Sequence, residues 1–326
     1  MATPTKTIAV TGASGLIGTN LLPVLLGKGY NLRVLIRRTK TTWHGVTQVE
    51  GDIRSSDAVR SLLRGCDAVI HLAGVAHTSL RSRAEMDEAF QINIGGTRNI
   101  LAAARHARVE RVLLASSAHV YAGQEGTELD EQSLTAGDSF YAHCKLILEK
   151  AGLEAVESNR MSVVIVRPCL IYGPGVRFNL ESLMRAIQGK YYFHIRGKNP
   201  MRSFLSVGNA AAAILHLSQV GETGKIYNLA DETPLPLVAF IDSVAHLLKV
   251  SPPRNLPMFA VRTAIAGATP LRWMGLSLPI NSESLRKLTV PFSLDVKALA
   301  ASGFRWSDDG LVSRKRMVDA FLLSHQ

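Results

Sequence analysis

The strongest constraint on the fold lies at the start of the chain, where a short apolar run meets a glycine-rich turn. Thr7–Thr11 is typical of a buried strand, and apolar residues at helical spacing then run from Leu16 to Lys28. Three glycines occupy the turn at the spacing that lets backbone amides approach a pyrophosphate at a helix N-terminus. The pattern therefore predicts a dinucleotide-binding turn. We expect it to contact the cofactor through Gly12, Ser14, Gly15, Leu16, Ile17 and Gly18.

Strands and helices continue to alternate along the first half of the chain. We predict strands at 31–36, 46–50, 67–71, 111–115 and 162–166, and long helices over 84–106 and 139–157. Such alternation favours right-handed crossovers and a parallel sheet that is covered on both faces. The predicted fold is α/β, a Rossmann-like doubly wound parallel sheet with a smaller mixed α/β C-terminal substrate domain. We expect an NAD(P)-binding domain at 1–169, with a return strand near 225–229, and a mainly substrate-binding domain at 170–326.

Composition narrows the class of protein. The 326 residues include 37 Lys and Arg against 26 Asp and Glu, but the cations are scattered, which favours an acidic small molecule over nucleic acid. No stretch approaches the roughly 20 apolar residues of a membrane span, and no signal pattern precedes the first strand, so we expect a cytoplasmic protein. The three cysteines lack metal-binding spacing, and no metal site is predicted. Segment 257–278 favours a packed helical lid over a membrane-surface helix.

Two arginines stand where the second predicted strand ends. An acidic residue about 20 positions beyond a glycine-rich turn of this kind usually binds the adenosine ribose. Here the region carries Arg37 and Arg38, whose guanidinium groups would attract a 2′-phosphate that a carboxylate would repel. The predicted cofactor is NADP or NAD, with NADP favoured; alternatively, both arginines only cover the adenine or contact solvent. Asp52 and Ile53, after the third strand, are predicted to contact the adenine.

A serine, a tyrosine and a lysine form the second pattern. Tyr141 and Lys145 are four residues apart and share one face of a predicted helix, and Ser117 follows the fifth strand. A nearby ammonium group lowers the pKa of a phenol, so Tyr141 is predicted to exchange a proton with an alcohol or ketone as hydride moves. Lys145 can also hold the nicotinamide ribose, and Ser117 can bond to the reacting oxygen. We therefore predict a catalytic set of Ser117, Tyr141 and Lys145, of which the last two also contact the cofactor.

In their order along the chain, these and other segments resemble the extended short-chain dehydrogenase/reductase family, the NAD-dependent epimerase/dehydratases. The matching segments are Thr11–Gly18, His71–Gly74, Asn93–Thr97, Ser116–Tyr121, Tyr141–Lys145, Arg167–Pro168, Ile171–Pro174 and Arg202–Val207. The resemblance implies further cofactor contacts from Leu72, Ala73, Gly74, Asn93, Ser116 and Pro168. It also implies that Arg202 meets the diphosphate of a nucleotide sugar and that Asn179 lies at the nucleotide-sugar end. Ser117 is expected to contact the substrate as well. The resemblance further implies that the protein is a homodimer.

Within the family, the chain is most similar to UDP-sugar 4-epimerases and UDP-4-keto-6-deoxy-sugar reductases. The 4,6-dehydratases carry Thr-Asp-Glu where this chain has Ser117-Ala118-His119, and the missing carboxylate pair counts against dehydration. The predicted function is NAD(P)-dependent hydride transfer at C4 of a UDP-sugar, by 4-epimerisation or 4-keto reduction, with Tyr141 as acid/base. The alternatives are reduction of a non-nucleotide ketone or aldehyde, and a catalytically silent dinucleotide-binding protein.

Overall fold

The structure is a computed structural model that describes residues 6–37, 43–75, 82–121, 126–137, 139–159, 161–263 and 282–325. Arg38, one of the two predicted 2′-phosphate ligands, lies outside the described residues. Most of the predicted lid at 257–278 lies outside them as well.

A seven-stranded parallel sheet forms the centre of the molecule. Its strands are β1 (Thr7–Thr11), β2 (Asn31–Ile36), β3 (Val46–Glu50), β4 (Ala68–His71), β5 (Arg111–Ala115), β7 (Ser162–Pro168) and β12 (Ile226–Leu229). They are ordered β12-β7-β5-β4-β1-β2-β3, and every neighbouring pair is parallel. The direction of winding reverses beside β1, and such a switch point opens a ligand crevice at the carboxyl ends of the strands. The predicted α/β, Rossmann-like fold is confirmed.

Helices cover both faces of this sheet and bury its apolar strands. The helices are α1 (Leu16–Gly27), α2 (Ser56–Leu63), α3 (Arg83–Phe90), α4 (Gly96–His106), α5 (Phe140–Asn159), α6 (Asn179–Gln188), α7 (Val207–Val220), α8 (Leu237–Leu247), α9 (Ser282–Thr289), α10 (Lys297–Ala301) and α11 (Gly310–Leu323). Leu21 of α1 and Ile214 of α7 belong to the core on one face. Leu62 of α2 and Ile100 of α4 belong to the core on the other face. Burial on both faces explains why the strands are continuously apolar.

Smaller sheets lie beside the main one. The four-stranded sheet is formed by β13 (Leu235–Pro236), β10 (Met201–Arg202), β15 (Phe292–Leu294) and β6 (Gly126–Leu129), and the two pairs are β11 (Phe204–Ser206) with β8 (Leu170–Tyr172), and β14 (Arg254–Leu256) with β9 (Phe193–Ile195). A third apolar core joins α6, α8 and α11 through Leu180, Phe240 and Phe321. Strand β6, from before residue 169, joins the sheet of β10, β13 and β15, and strand β12, from after residue 169, joins the main sheet. The two halves of the chain therefore exchange strands, and the predicted domain boundary at residue 169 stays a prediction.

One predicted helix is interrupted. The sequence predicts a continuous helix over 84–106, whereas a π-helical turn (Gln91–Gly95) separates α3 from α4. Asn93 lies in this turn, and its amide pairs with the backbone of Val75. Single π-helical turns within α-helices are frequently found at functional sites. Among the described residues, no helix combines the length and apolarity needed to cross a bilayer, and no group of three or more potential metal ligands is brought together.

Candidate active site

The glycine turn between β1 and α1 requires glycine at two positions. Gly12 has φ +72°, and a Cβ atom there would lie 2.7 Å from the backbone nitrogen of Ala73. A Cβ on Gly18 would overlap the carbonyl oxygen of Gly12. Helix α1 begins at Leu16, and the residue before it, Gly15, has an extended backbone and no side chain that could cap the helix. The N-terminal amides of α1 therefore have no side chain bonded to them from the capping position, and this backbone cradle fits a dinucleotide pyrophosphate.

At the predicted adenosine end, Asp52 has an arginine partner within the protein. Arg37 is exposed at the end of β2. Asp52 already accepts two hydrogen bonds from the Arg54 guanidinium, at 2.9 and 2.8 Å. Arg54 and, more weakly, Arg37 hold the pKa of Asp52 below its usual value. Ile53 is 7 % exposed and packs against Gly96, so it belongs mainly to the core. The sequence did not single out Arg54, because an arginine two residues from an aspartate is common on protein surfaces.

A buried polar group ties the carboxyl ends of β1 and β4 together. His71 Nδ1 lies 2.7 Å from Thr11 Oγ1, and its Nε2 lies 3.1 Å from Thr97 Oγ1. Burial, with a smaller contribution from the Lys145 charge, lowers the pKa of His71 to about 3. The imidazole is therefore neutral at physiological pH and acts as a hydrogen-bonding link. Its position holds the following segment, which contains the predicted cofactor contacts Leu72, Ala73 and Gly74, beside the glycine turn.

Asn93 fixes that same segment from the opposite side. Its Oδ1 accepts a hydrogen bond from Val75 N at 2.8 Å, and its Nδ2 donates to Val75 O at 3.2 Å. A Cβ on Gly74 would lie 2.9 Å from Asn93 Oδ1 and 3.5 Å from Lys145 Nζ. The loop after β4 therefore passes directly beside Lys145. This arrangement gives Asn93 a structural role at the edge of the candidate site.

The structure brings Ser117, Tyr141 and Lys145 together beyond the end of β5. The Ser117 hydroxyl is hydrogen-bonded to Tyr141, and Lys145 Nζ lies 5.6 Å from the centre of the Tyr141 ring. Lys145 is 4 % exposed and donates a hydrogen bond to Ala115 O at 2.7 Å. Helix α5 presents Tyr141 and Lys145 on one face, and the end of β5 supplies Ser117. These three residues form a compact acid–base group at the carboxyl edge of the sheet.

The pKa of Tyr141 differs from the expectation based on its lysine neighbour. Burial raises the pKa of Tyr141 to about 12, although the hydrogen bond from Ser117 acts in the opposite direction. Burial also lowers the pKa of Lys145 to about 8, opposed by the nearby Cys144 and Glu149. The sequence predicted a lowered pKa for Tyr141, and this prediction is wrong because burial raises the pKa and outweighs the opposing hydrogen bond from Ser117. Tyr141 is therefore protonated at physiological pH and can donate a proton.

A buried network supports this group from one side. Ser116 Oγ donates to Glu149 Oε1 at 2.5 Å, and Arg167 donates to the two Glu149 oxygens at 2.9 and 2.7 Å. Arg167 Nη1 also donates to the Tyr121 hydroxyl at 2.6 Å. Although burial acts to lower it, the Glu149 carboxylate holds the pKa of Arg167 above its usual value. The sequence reasoning missed Glu149, although it follows Lys145 by four residues and therefore shares its helix face.

Pro168 ends β7 next to this network and is buried, opposite Leu229 of β12. The predicted cofactor contacts Ser116 and Pro168 therefore both lie at the carboxyl edge of the sheet. Ser116 is 3 % exposed, and its hydroxyl is held by Glu149. Ser116 consequently supports the candidate site from within the core, whereas Ser117 is bonded to Tyr141.

The predicted substrate residues lie in the smaller sheets and helices. Arg202, in β10, donates a hydrogen bond to Val290 O at 3.3 Å. Burial and the neighbouring positive charge of Arg286 lower the pKa of Arg202. Two guanidinium groups thus lie close enough to interact, an arrangement that an anion would stabilise. Arg286 was missed because nothing in the sequence links α9 to β10. Asn179 is exposed at the N-terminus of α6.

Comparisons with known proteins find similarity to a ketoreductase and to sugar epimerases. A 4-hydroxy-2-methyl-3-oxo-4-farnesyl-3,4-dihydroquinoline-1-oxide ketoreductase from Stigmatella aurantiaca is 29% identical over 78% of this chain and 77% of its own length. An N-acetyl-alpha-D-glucosaminyl-diphospho-ditrans,octacis-undecaprenol 4-epimerase from Escherichia coli O157:H7 is 26% identical over 91% of this chain and 89% of its own length. A UDP-N-acetylglucosamine 4-epimerase from Methanobrevibacter ruminantium M1, solved with UDP-N-acetylmuramic acid, shares the fold at 18% identity, with a TM-score of 0.78 and coverage of 99% and 100%.

The family comparison covers most of the chain. Residues 8–230 match the NAD dependent epimerase/dehydratase family, a span that includes the glycine turn, Ser117, Tyr141, Lys145 and Arg202. Apart from Thr7, the first residue of β1, the matched span also contains the seven strands of the main sheet. The chain belongs to the NAD dependent epimerase/dehydratase family.

Proposed function

We propose that the protein is an NAD(P)-dependent enzyme that acts at C4 of a UDP-linked sugar, by 4-epimerisation or by reduction of a 4-ketone. The observation that carries the proposal is the grouping of Ser117, Tyr141 and Lys145 at the carboxyl edge of the sheet, beside the glycine turn. Two relatives, a ketoreductase and a 4-epimerase, support hydride chemistry over simple dinucleotide binding.

In the proposed mechanism, Tyr141 donates the proton, and its neighbours Ser117 and Lys145 assist the transfer. When bound, the nicotinamide supplies or accepts the hydride. Tyr141, protonated because its pKa is about 12, donates its proton to a C4 ketone oxygen. Ser117, already bonded to Tyr141, is positioned to bond the same oxygen. Lys145 places a positive charge 5.6 Å from the Tyr141 ring, where it stabilises the phenolate that forms.

The substrate end of the proposal depends on Arg202 and Arg286. Burial lowers the pKa of Arg202, and the charge of Arg286 lowers it further, which indicates two neighbouring positive charges in the part of the chain beyond residue 169. A diphosphate would balance both charges and can accept forked hydrogen bonds from each guanidinium. We infer that residues 1–169 mainly bind the dinucleotide and that residues 170–326 mainly bind the nucleotide sugar. Asn179 at the start of α6 is proposed to contact the nucleotide-sugar end.

Epimerisation and reduction differ in whether the cofactor leaves. An epimerase uses its dinucleotide reversibly within one catalytic cycle, whereas a reductase must exchange it after each turnover. Denaturing the purified protein and identifying any released dinucleotide by chromatography tests this difference. Stoichiometric NAD would support epimerisation, whereas an empty protein that binds NADPH more tightly than NADH would support reduction. Incubation with UDP-N-acetylglucosamine and with a UDP-4-keto-6-deoxy-sugar, followed by NMR, tests the function itself; no conversion of either compound would contradict it.

A second candidate is reduction of a ketone that carries no diphosphate. The ketoreductase from Stigmatella aurantiaca, which is similar to 78% of this chain, favours this alternative. Arg202→Met distinguishes the two. For a diphosphate-linked sugar we expect KM to rise by roughly tenfold or more, because a charge-assisted hydrogen bond is lost. For a ketone without a diphosphate, KM should stay near the wild-type value.

Dimerisation is proposed through the exposed apolar side chains of α3 and α5. Met86 and Phe90 of α3 are 39% and 37% exposed, and Ile147 of α5 is 37% exposed. Phe90 and Met86 are four residues apart and therefore share one helix face. Sedimentation velocity of the wild type and of Phe90→Glu tests the proposal. A wild-type monomer would contradict it.

A further inference from the structure

His119 touches both the serine and the tyrosine of the candidate reaction centre. It lies in the short 3-10 turn Ala118–Tyr121 that follows β5. Its Nδ1 is 3.4 Å from Ser117 Oγ, and its backbone N–H donates to the same oxygen at 3.2 Å. The imidazole meets the Tyr141 ring edge-on, with ring centres 5.9 Å apart. Tyr141, Ser117 and His119 therefore form a continuous chain of polar groups.

The exposure of these residues differs sharply. Tyr141 itself is half-buried, and a substrate seated over it would cover its exposed part. Ser117 is 6 % exposed, Lys145 is 4 % exposed and Cys144 is 1 % exposed, so none of these neighbours offers Tyr141 an open route to solvent while substrate is bound. Lys145 also directs its ammonium group to Ala115 O. His119, by contrast, is an exposed residue. Among the described residues bonded or stacked around Tyr141, His119 is thus the one that meets bulk water.

We propose that His119 relays a proton from solvent through Ser117 to Tyr141 when the enzyme reduces a ketone. The inference rests on the proposed function in its reductase form. Each reduction adds a hydride from a reduced nicotinamide dinucleotide to the carbonyl carbon and a proton from Tyr141 to the carbonyl oxygen. Tyr141 then takes the Ser117 hydroxyl proton, Ser117 takes the proton of His119 Nδ1, and His119 Nε2 takes a replacement proton from water, which leaves as hydroxide into the solvent. Proton exchange of the exposed imidazole with water then restores the Nδ1–H tautomer for the next turnover.

The relay has a role only where a net proton is consumed. In epimerisation, Tyr141 removes a proton from the C4 hydroxyl and returns it to the same oxygen, so the site needs no supply from solvent. In reduction, a substrate seated over Tyr141 and a buried Lys145 leave the phenolate dependent on its hydrogen-bonded neighbours. An imidazole suits this transfer because one nitrogen can release a proton while the other accepts one. His119 is therefore a positioning and relay residue that acts through Ser117.

The test compares His119→Ala with a control histidine on α5. His143 is exposed and lies 3.1 Å from Ser139 O, so His143→Ala removes an imidazole near Tyr141 without entering the chain of polar groups. A UDP-4-keto-6-deoxy-sugar is mixed rapidly with each enzyme and NADPH. For His119→Ala we expect a first turnover at the wild-type rate and later turnovers slowed at least about tenfold, since a lost proton transfer costs this much or more. Added imidazole should restore the later turnovers, and His143→Ala should behave as the wild type.

The outcomes separate the relay from the proposed function. Equal slowing of the first and later turnovers, or no rescue by imidazole, would overturn the relay, as would a wild type that only epimerises. A wild type without any turnover would overturn the proposed function and the relay with it. A readout without turnover is exchange of the Tyr141 hydroxyl proton with solvent, followed by NMR of tyrosine labelled with 13C at Cζ. Slower exchange in His119→Ala than in His143→Ala is expected, and equal rates would contradict the relay.

Discussion

The two halves of the molecule hold their functional residues in different ways. Around the glycine turn and α5, Gly12 is fixed by its close approach to the backbone of Ala73, and Lys145 is fixed by its buried hydrogen bond to Ala115 O. In the second half, Asn179 is exposed, and Arg202 lies beside a second positive charge, Arg286. The first arrangement is complete before any ligand binds, whereas the second is favourable only with an anion present. The residues at the proposed chemical end of the candidate site are therefore mainly pre-organised, whereas those at the proposed substrate end can adapt to a ligand.

The largest effect should come from the reaction centre. Tyr141→Phe removes the proton donor but keeps the ring and its contacts, so we expect turnover to fall by roughly 10²- to 10⁴-fold, the usual contribution of general acid catalysis. Dinucleotide binding should be retained, because the glycine turn is untouched. Steady-state kinetics and fluorescence titration measure the two quantities. Unchanged turnover would show that Tyr141 has no chemical role.

The next effect tests whether the buried network is as rigid as its hydrogen bonds suggest. Glu149→Gln leaves the Arg167 guanidinium buried without its counter-charge, and removal of one partner of a buried pair costs about 3–5 kcal/mol of unfolding free energy. Glu154→Gln is the matched control, since its side chain is 62% exposed and pairs with Lys150 at 3.8 Å. The control should change stability by less than about 1 kcal/mol. Similar losses in both variants, measured by urea unfolding, would remove the distinction between the network and the surface.

The glycine turn should be the most sensitive part of the backbone. Gly12→Ala places a Cβ 2.7 Å from the backbone of Leu72 and Ala73 at a positive φ. We expect a loss of about 2–4 kcal/mol in unfolding free energy from left-handed strain and overpacking, together with loss of dinucleotide binding. Gly27→Ala is the control, because no atom lies within 4 Å of a Cβ there. That control should gain about 0.5–1 kcal/mol from helix propensity. A tolerated Gly12→Ala would contradict the close approach of the two loops.

Acid should weaken the same region through His71. Its pKa is lowered from 6.5 to about 3, so the folded protein keeps His71 neutral while the unfolded chain binds a proton below pH 6.5. The free energy of unfolding is therefore unaffected by the titration of His71 above pH 6.5, and it decreases as the pH falls from 6.5 toward 3, because only the unfolded chain binds the proton. Between pH 7 and pH 5 we expect a loss of about 2 kcal/mol in unfolding free energy from this group. Comparing the pH dependence of urea unfolding for the wild type and His71→Asn measures the contribution. Equal slopes would contradict it.

The smallest expected effect concerns cofactor choice. Arg37 is exposed, so Arg37→Ser should weaken NADP binding about tenfold relative to NAD binding if the guanidinium contacts a 2′-phosphate. Arg64→Ser, at an exposed arginine after α2, serves as a control for the change in net charge. Isothermal titration with both dinucleotides gives the ratio. Equal weakening of NADP and NAD by Arg37→Ser would refute selection of the 2′-phosphate.

These comparisons also explain what could be predicted from the sequence. The strands of the main sheet and the glycine turn have local signatures, since apolar runs and glycines at fixed spacing reflect backbone requirements. The grouping of Tyr141 with Lys145 follows from helix periodicity, and the structure places Ser117 beside them. The contribution of burial to the pKa of Tyr141 was not predictable, because burial depends on the assembled fold. The spacing of Glu149 to Lys145 places it on the same helix face, but its partners Ser116 and Arg167 are distant in sequence, as Arg202 is from Arg286.

The measurement that tests the central proposal most directly follows a labelled hydride to the sugar. The enzyme is incubated with a UDP-4-keto-6-deoxy-sugar and NADPH deuterated at C4 of the nicotinamide, and in parallel with UDP-N-acetylglucosamine deuterated at sugar C4. We expect NMR to find deuterium at C4 of a reduced sugar in the first reaction, or retained at C4 of the epimer in the second, and neither product with Tyr141→Phe. Absence of both products with the wild type, or product formation that is unchanged in Tyr141→Phe, would contradict the proposed function.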